Sequence, residues 1–176
     1  MCFAIKRLIM NEKKLSDIEL FRRADIKGKI ILMSATWFGS GLVPFAPGTW
    51  GSLAALPFAA LAYSSGFLYG GLSLLAVFIL SIPISGSASK YLQKEDPPSI
   101  VIDEVAGIFI TLFLLPVSWM TVTAGFILFR LFDIIKPFPV GFLDRKIKGG
   151  TGIVLDDIMA GIYANICLQI LLTVFK

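Results

Sequence analysis

The chain has no histidine among its 176 residues. That excludes Ser-His-Asp hydrolysis, phosphotransfer through a histidine and His-ligated zinc. Cysteine is scarce: Cys2 and Cys167 are too few and too far apart for a disulfide framework or a metal knuckle. Charge is missing over long distances. No Lys, Arg, Asp or Glu occurs between Lys29 and Lys90, between Glu104 and Arg130, or between Asp157 and Lys176. Sharp phosphate-handling signatures are missing too. There is no C-x5-R loop (Cys2 and Arg7 have four residues between them), no D-x-D pair and no G-x-x-x-x-G-K-[ST] loop. Chemistry is left to carboxylates, Lys and Arg, hydroxyls, backbone amides or a hard metal.

What is present is apolar. The composition is 56% hydrophobic, with a mean hydropathy of +0.83. Three long uncharged stretches mark a multi-pass membrane protein; a soluble helical bundle with a large core is the alternative. The first 29 residues carry eight Lys/Arg and four acids with no apolar run, so a cleavable signal peptide is not expected there. The net charge of +4 is concentrated in that basic segment, which suits anionic lipid or cytosol better than nucleic acid.

The pattern predicts an all-α membrane bundle with about five membrane helices, in two parts: a basic N-terminal segment, 1–29, and a membrane-embedded catalytic domain, 30–176. Leu15, Ile18, Phe21 and Ala24 predict a short amphipathic helix on the membrane surface. Residues 45–52 read as a Gly/Pro turn leading into Leu53. Membrane helices are expected over 52–63, 67–85, 100–115, 119–135 and 153–175, with a polar loop over 90–99 and no internal repeat. Residues 30–44, about 22 Å long as a helix, are marginal for a crossing, so they lie along the interface or dip in and return. A single long span over 105–129 is the competing topology. With a cytoplasmic N-terminus, parity places every charge except Lys176 inside, including all five Lys/Arg of 130–148.

In that topology four acidic sites gather at one membrane face: Asp103-Glu104, Asp133, Asp144 and Asp156-Asp157. Helix starts favour anions, so caps and interfacial charges account for one Asp per start. They account less well for two adjacent pairs, which add repulsion. Carboxylates on converging helices, with no His and no paired Cys, suit a hard cation such as Mg²⁺. Arg130, Asp133 and Lys136, spaced by three, share roughly one face, offering a carboxylate to a metal and two cations to a phosphate. Lys136 alone also fits a snorkelling interfacial lysine. The stretch Pro47-Gly48-Thr49-Trp50-Gly51-Ser52 puts amides, Thr49 and Ser52 where a helix begins, a place to bind an anion. The Gly149–Gly152 run has the same ambiguity, with a flexible loop the plainer reading. Ala160, Gly161 and Ala164 are small residues that let a neighbouring helix approach.

The segments PGTWGS (47–52), IDEVAG (102–107), FRLFDIIKPFP (129–139), DR (144–145) and GGTGIVLDDIMAG (149–161) resemble those of bacterial phosphatidylglycerophosphatase A. The resemblance runs from about residue 30 to 165. It implies a Mg²⁺-dependent lipid phosphatase of the bacterial inner membrane, with its site facing the cytoplasm. Its substrate would be phosphatidylglycerophosphate and its products phosphatidylglycerol and phosphate. It implies Asp103, Glu104, Asp133, Asp156 and Asp157 as ligands of one or two Mg²⁺. Gly48, Thr49, Arg130, Lys136 and Arg145 would bind the phosphate, with Asp133, Lys136, Arg130, Asp144 and Thr49 as catalytic residues. A metal-activated water and an aspartyl intermediate are both compatible. A small ion or solute transporter with a carboxylate-lined path is the other class, although these acids sit at helix ends. A CDP-alcohol phosphotransferase would need a D-G-x2-A-R pattern that is absent. A reporter fused after Lys148 is expected to score cytoplasmic; an extracytoplasmic score overturns the topology.

Overall fold

The computed structural model describes residues 16–138 and 149–174. They form seven α-helices and no strand: α1 (Asp17–Arg23), α2 (Ile26–Ala35), α3 (Pro47–Ser64), α4 (Phe67–Leu92), α5 (Ile102–Leu112), α6 (Trp119–Ile135) and α7 (Gly150–Val174). A 3₁₀ turn, Ser40–Leu42, lies between α2 and α3.

Local chemistry sets the boundaries, and several differ from expectation. Ser16 and Glu19 form a reciprocal capping box that starts α1. Phe21 and Ala24 then pack against the protein core, because α1 docks on α2 and α4. Leu15 lies outside the described residues. The expected turn at 45–52 is mostly helix: Pro47 takes the first position of α3, where its missing N–H costs nothing. Helix α4 runs on to Leu92, so Lys90, Tyr91 and Leu92 are helical rather than loop. It ends where Gln93 adopts a left-handed conformation (φ 54°). Ser118 caps α6 by accepting from the Thr121 N–H. The single span over 105–129 does not form, since α5 stops at Leu112 and α6 starts at Trp119.

Residues 30–44 go out and come back. Trp37, Phe38 and Gly39 all have positive φ (45°, 56° and 89°) and reverse the chain after α2. The Val101 N–H donates to the Ala35 carbonyl at 2.9 Å, tying this hairpin to the approach of α5. Gly41 sits against the Ser99 carbonyl so closely that a Cβ there would collide with it.

Helix α5 is the axis of the bundle. Nine of its eleven residues are buried, and α3, α4, α7 and α6 surround it, each touching the next. A helix enclosed on all sides must satisfy its terminal carbonyls from neighbours. Tyr63 on α3 donates its hydroxyl to the Phe109 carbonyl. Asn165 on α7 donates to the Thr111 carbonyl at 3.0 Å and to the Phe113 carbonyl at 2.8 Å. Two helices, α4 and α7, are long and apolar enough to cross a membrane. Replacing Asn165 by Leu is expected to cost about 1–3 kcal/mol by orphaning these carbonyls. Thermal unfolding in detergent checks it, and an unchanged midpoint would show that the cap carries no stability.

Candidate active site

The site is set by a crossing of two backbones. A Cβ on Gly161 of α7 would collide with the Gly107 carbonyl of α5. A Cβ on Gly107 would meet the Asp157 carbonyl at 2.9 Å and run into the Phe129 ring of α6. Asp103 lies four residues before Gly107, and Asp157 four residues before Gly161. Four residues is about one helical turn, so the crossing delivers both carboxylates to the same level on facing helices.

Around them the carboxylates form two overlapping groups. Oxygens of Asp103, Glu104 and Asp157 lie within 4.8 Å of one another, and so do those of Asp133, Asp156 and Asp157. Asp157 belongs to both. Asp103, Asp156 and Asp157 are buried, at 7%, 8% and 4% exposure. Two cations answer them: Arg130 Nη1 is 2.7 Å from Asp133 Oδ2, and Lys136 Nζ is 2.6 Å from Asp156 Oδ2. The Arg130 contact is a close ion pair without aligned hydrogen-bond geometry, and the buried Arg130 Nε has no partner either. Asp103 Oδ1 and Glu104 Oε2 are likewise buried with no hydrogen-bond partner. Five carboxylates with two cations leave like charges crowded in a largely buried space. Orphaned carboxylate oxygens and an all-oxygen donor set fit a hard divalent cation.

Residues 33–172 match the family model described as PgpA: Phosphatidylglycerophosphatase A. The chain belongs to the phosphatidylglycerophosphatase A family. It is 41% identical to phosphatidylglycerophosphatase A of Escherichia coli over 151 residues, which is 80% of this chain and 86% of that one. With the Haemophilus influenzae phosphatidylglycerophosphatase A it shares 42% identity over 138 residues, covering 77% and 85% of the two chains. With a putative phosphatidylinositol-3-phosphatase of Bacteroides thetaiotaomicron it shares 35% over 152 residues, covering 79% and 91%. No solved structure matches it.

In this phosphatidylglycerophosphatase A family member, the residues predicted as metal ligands come together: Asp103, Glu104, Asp133, Asp156 and Asp157, with Arg130 and Lys136 beside them. Gly48 joins them, because a Cβ on it would collide with Glu104 Oε1 and lie 3.2 Å from Arg130 Nη1. Asp144 and Arg145 lie outside the described residues. Other expectations need correction. Asp156 and Asp157 are not at a helix start. Helix α7 begins at Gly150, so the pair sits about 9 Å along it, beyond the strongest reach of the terminal dipole. The Thr49 and Trp50 amides are not free to hold an anion, since both donate to the Ala46 carbonyl, at 3.0 and 3.3 Å. The Ser52 hydroxyl donates to the Gly48 carbonyl at 2.7 Å. That leaves the Gly48 N–H and the Thr49 hydroxyl at this end of α3. Gly149–Gly152 is not a flexible loop: Gly149 makes the left-handed turn (φ 79°), and Gly150 packs against the α4 backbone at Ile82 and Gly86.

The role of Gly107 was readable but unread. D-x-x-A-G occurs twice, as Asp103-Glu104-Val105-Ala106-Gly107 and Asp157-Ile158-Met159-Ala160-Gly161. This short repeat is the local signature of the crossing, and the reading of no internal repeat overlooked it. Gly161→Ala is expected to wedge α5 from α7. It should cost about 1–3 kcal/mol of stability and, through misplaced carboxylates, about 100-fold in turnover. Gly71→Ala, whose Cβ meets open space, is the control. Equal behaviour of the two variants would contradict the crossing's role.

Proposed function

We propose that this chain hydrolyses the phosphate monoester of phosphatidylglycerophosphate, giving phosphatidylglycerol and phosphate, with Mg²⁺ at the carboxylate cluster. The observation that carries the reading is Asp157 shared between two buried carboxylate groups, with Arg130 and Lys136 alongside. Asp103 and Glu104 would hold one cation with Asp157, and Asp133 and Asp156 a second. Bound Mg²⁺ supplies Lewis-acid neutralisation of phosphate charge and acidifies a bound water. The protein's own groups do the rest. Arg130 and Lys136 bring positive charge to the phosphoryl oxygens as they leave their carboxylate partners. Gly48 keeps the start of α3 close enough for its N–H and the Thr49 hydroxyl to face the same oxygens. Asp144 is proposed as a further catalytic residue and Arg145 as a further phosphate-binding one.

The helix surfaces support a membrane setting. Helices α4 and α7 cross the bilayer, with α3, α5 and α6 packed between and beside them in a multi-pass bundle of the bacterial inner membrane. Exposed Phe67, Tyr69 and Trp119 lie at one end and exposed Phe45, Trp50 and Phe138 at the other, the positions of interfacial aromatic belts. The carboxylate end faces the cytoplasm, where the hairpin at 30–44 dips in and returns. A charged headgroup reaches the cluster there while its acyl chains stay in lipid. Carboxylates gathered at one end, rather than strung along a path, favour an enzyme over a transporter.

Purified protein in detergent is expected to release phosphate from phosphatidylglycerophosphate only with Mg²⁺ present; release that survives chelation overturns the metal assignment. Asp133→Asn and Asp157→Asn are each expected to abolish turnover with the thermal midpoint retained. Near-normal turnover of both removes these residues from the site.

A further inference from the structure

Helix α2 is apolar on two faces. Gly28, Leu32 and Ala35 are buried in the bundle, and the opposite face exposes Ile26 at 81% and Ile30 at 63%, with Met33 below them. A shallow groove of about 340 Å³ runs along that outer face, lined by Ile26, Lys29, Ile30, Met33 and Ser34. Lys29 lines the groove, and three further exposed cations lie close to it in the chain: Arg22 and Arg23 at the close of α1 and Lys27 in the first turn of α2. The nearby acids all have partners of their own. Asp17 pairs with Lys94 and accepts from Ser99 at 2.7 Å. Glu19 completes the capping box and also lies within electrostatic reach of Arg23 and Arg22, and Asp25 caps α2 at 2.9 Å while accepting from the Tyr91 hydroxyl. No ion pair engages the four cations among the described residues.

We infer that α1 and α2 form a second lipid site, separate from the carboxylate cluster, that binds an anionic phospholipid. Its headgroup phosphate rests among Arg22, Arg23, Lys27 and Lys29, and an acyl chain lies along Ile26, Ile30 and Met33. An apolar groove under a cationic rim matches that chemistry and no soluble anion's, because a soluble anion leaves the groove unfilled. The site is tied to the catalytic end: α2 closes with the Ala35 carbonyl that holds the Val101 N–H, two residues before Asp103. Lipid on α2 therefore steadies the start of α5. The inference rests on the membrane setting proposed above, though not on the reaction.

The test uses the full chain in nanodiscs, carrying a fluorophore on Ile30→Cys in a Cys2→Ser, Cys167→Ser background. Brominated phosphatidylserine and brominated phosphatidylcholine are compared as quenchers at equal mole fraction. The anionic lipid is expected to quench about fivefold more effectively, roughly the preference one Lys or Arg near an anionic surface supplies. The preference should vanish in the Arg22→Gln, Arg23→Gln, Lys27→Gln, Lys29→Gln variant. Equal quenching by both lipids, quenching by neither, or a preference that survives the four substitutions overturns the site. None of these readings involves phosphate release, so they stand or fall apart from the phosphatase assignment.

Discussion

The contact between Gly107 and Gly161 is the constraint on which the rest of this structure depends. Two helices approach until the carbonyl of one occupies the space a side chain of the other would need. Such an approach is available only to residues without a Cβ. Its consequence appears one turn away, where Asp103 and Asp157 are held at a separation two carboxylates would not choose. Phe129 of α6 closes over Gly107, and one residue further along α6 Arg130 reaches Asp133. The packing contact and the charge cluster are thus successive layers of one three-helix junction.

Electrostatics explains why cations suit the junction. Asp156 is held by Lys136 and Asp133 by Arg130. Asp103 and Glu104 have buried oxygens without hydrogen bonds. Unpaired buried charge is costly, and helix packing alone offers nothing in return. The proposed divalent cation would offset that cost, and the anionic phosphate of a substrate would then find Arg130 and Lys136 beside it. On the proposed function, stability and reactivity would be linked through the same five carboxylates. The far end of α5 is closed by contrast with neutral hydrogen bonds from Tyr63 and Asn165.

Much of this was legible in the sequence. Uncharged stretches located the helices, Pro and Gly located the breaks, and helix α6 was placed at 119–135, as observed. Residue type and spacing pointed to four acidic sites, Asp144 among them, with Arg130 and Lys136 beside Asp133; the set of five proposed ligands came with the family resemblance, and those five carboxylates do meet. What escaped depended on the third dimension. The start of α7 was set three residues late, because Gly150–Gly152 look like a loop until α4 is present to pack against them. Thr49, Trp50 and Ser52 looked like anion donors until α3 consumed their hydrogens. Phe21 and Ala24 looked lipid-facing, yet the face that stays open belongs to α2, where both sides of the helix are apolar and no periodicity distinguishes them. Gly107 was invisible as a single residue and visible only as half of a repeated D-x-x-A-G.

The most direct test of a shared divalent site is Mn²⁺ titration of the purified protein in detergent, followed by electron paramagnetic resonance. Wild-type protein should bind Mn²⁺ with the broadened signal of two neighbouring ions, and Asp157→Asn should lose that coupling because it removes the ligand common to both groups. No binding by the wild type, or an unchanged spectrum in Asp157→Asn, would contradict the account.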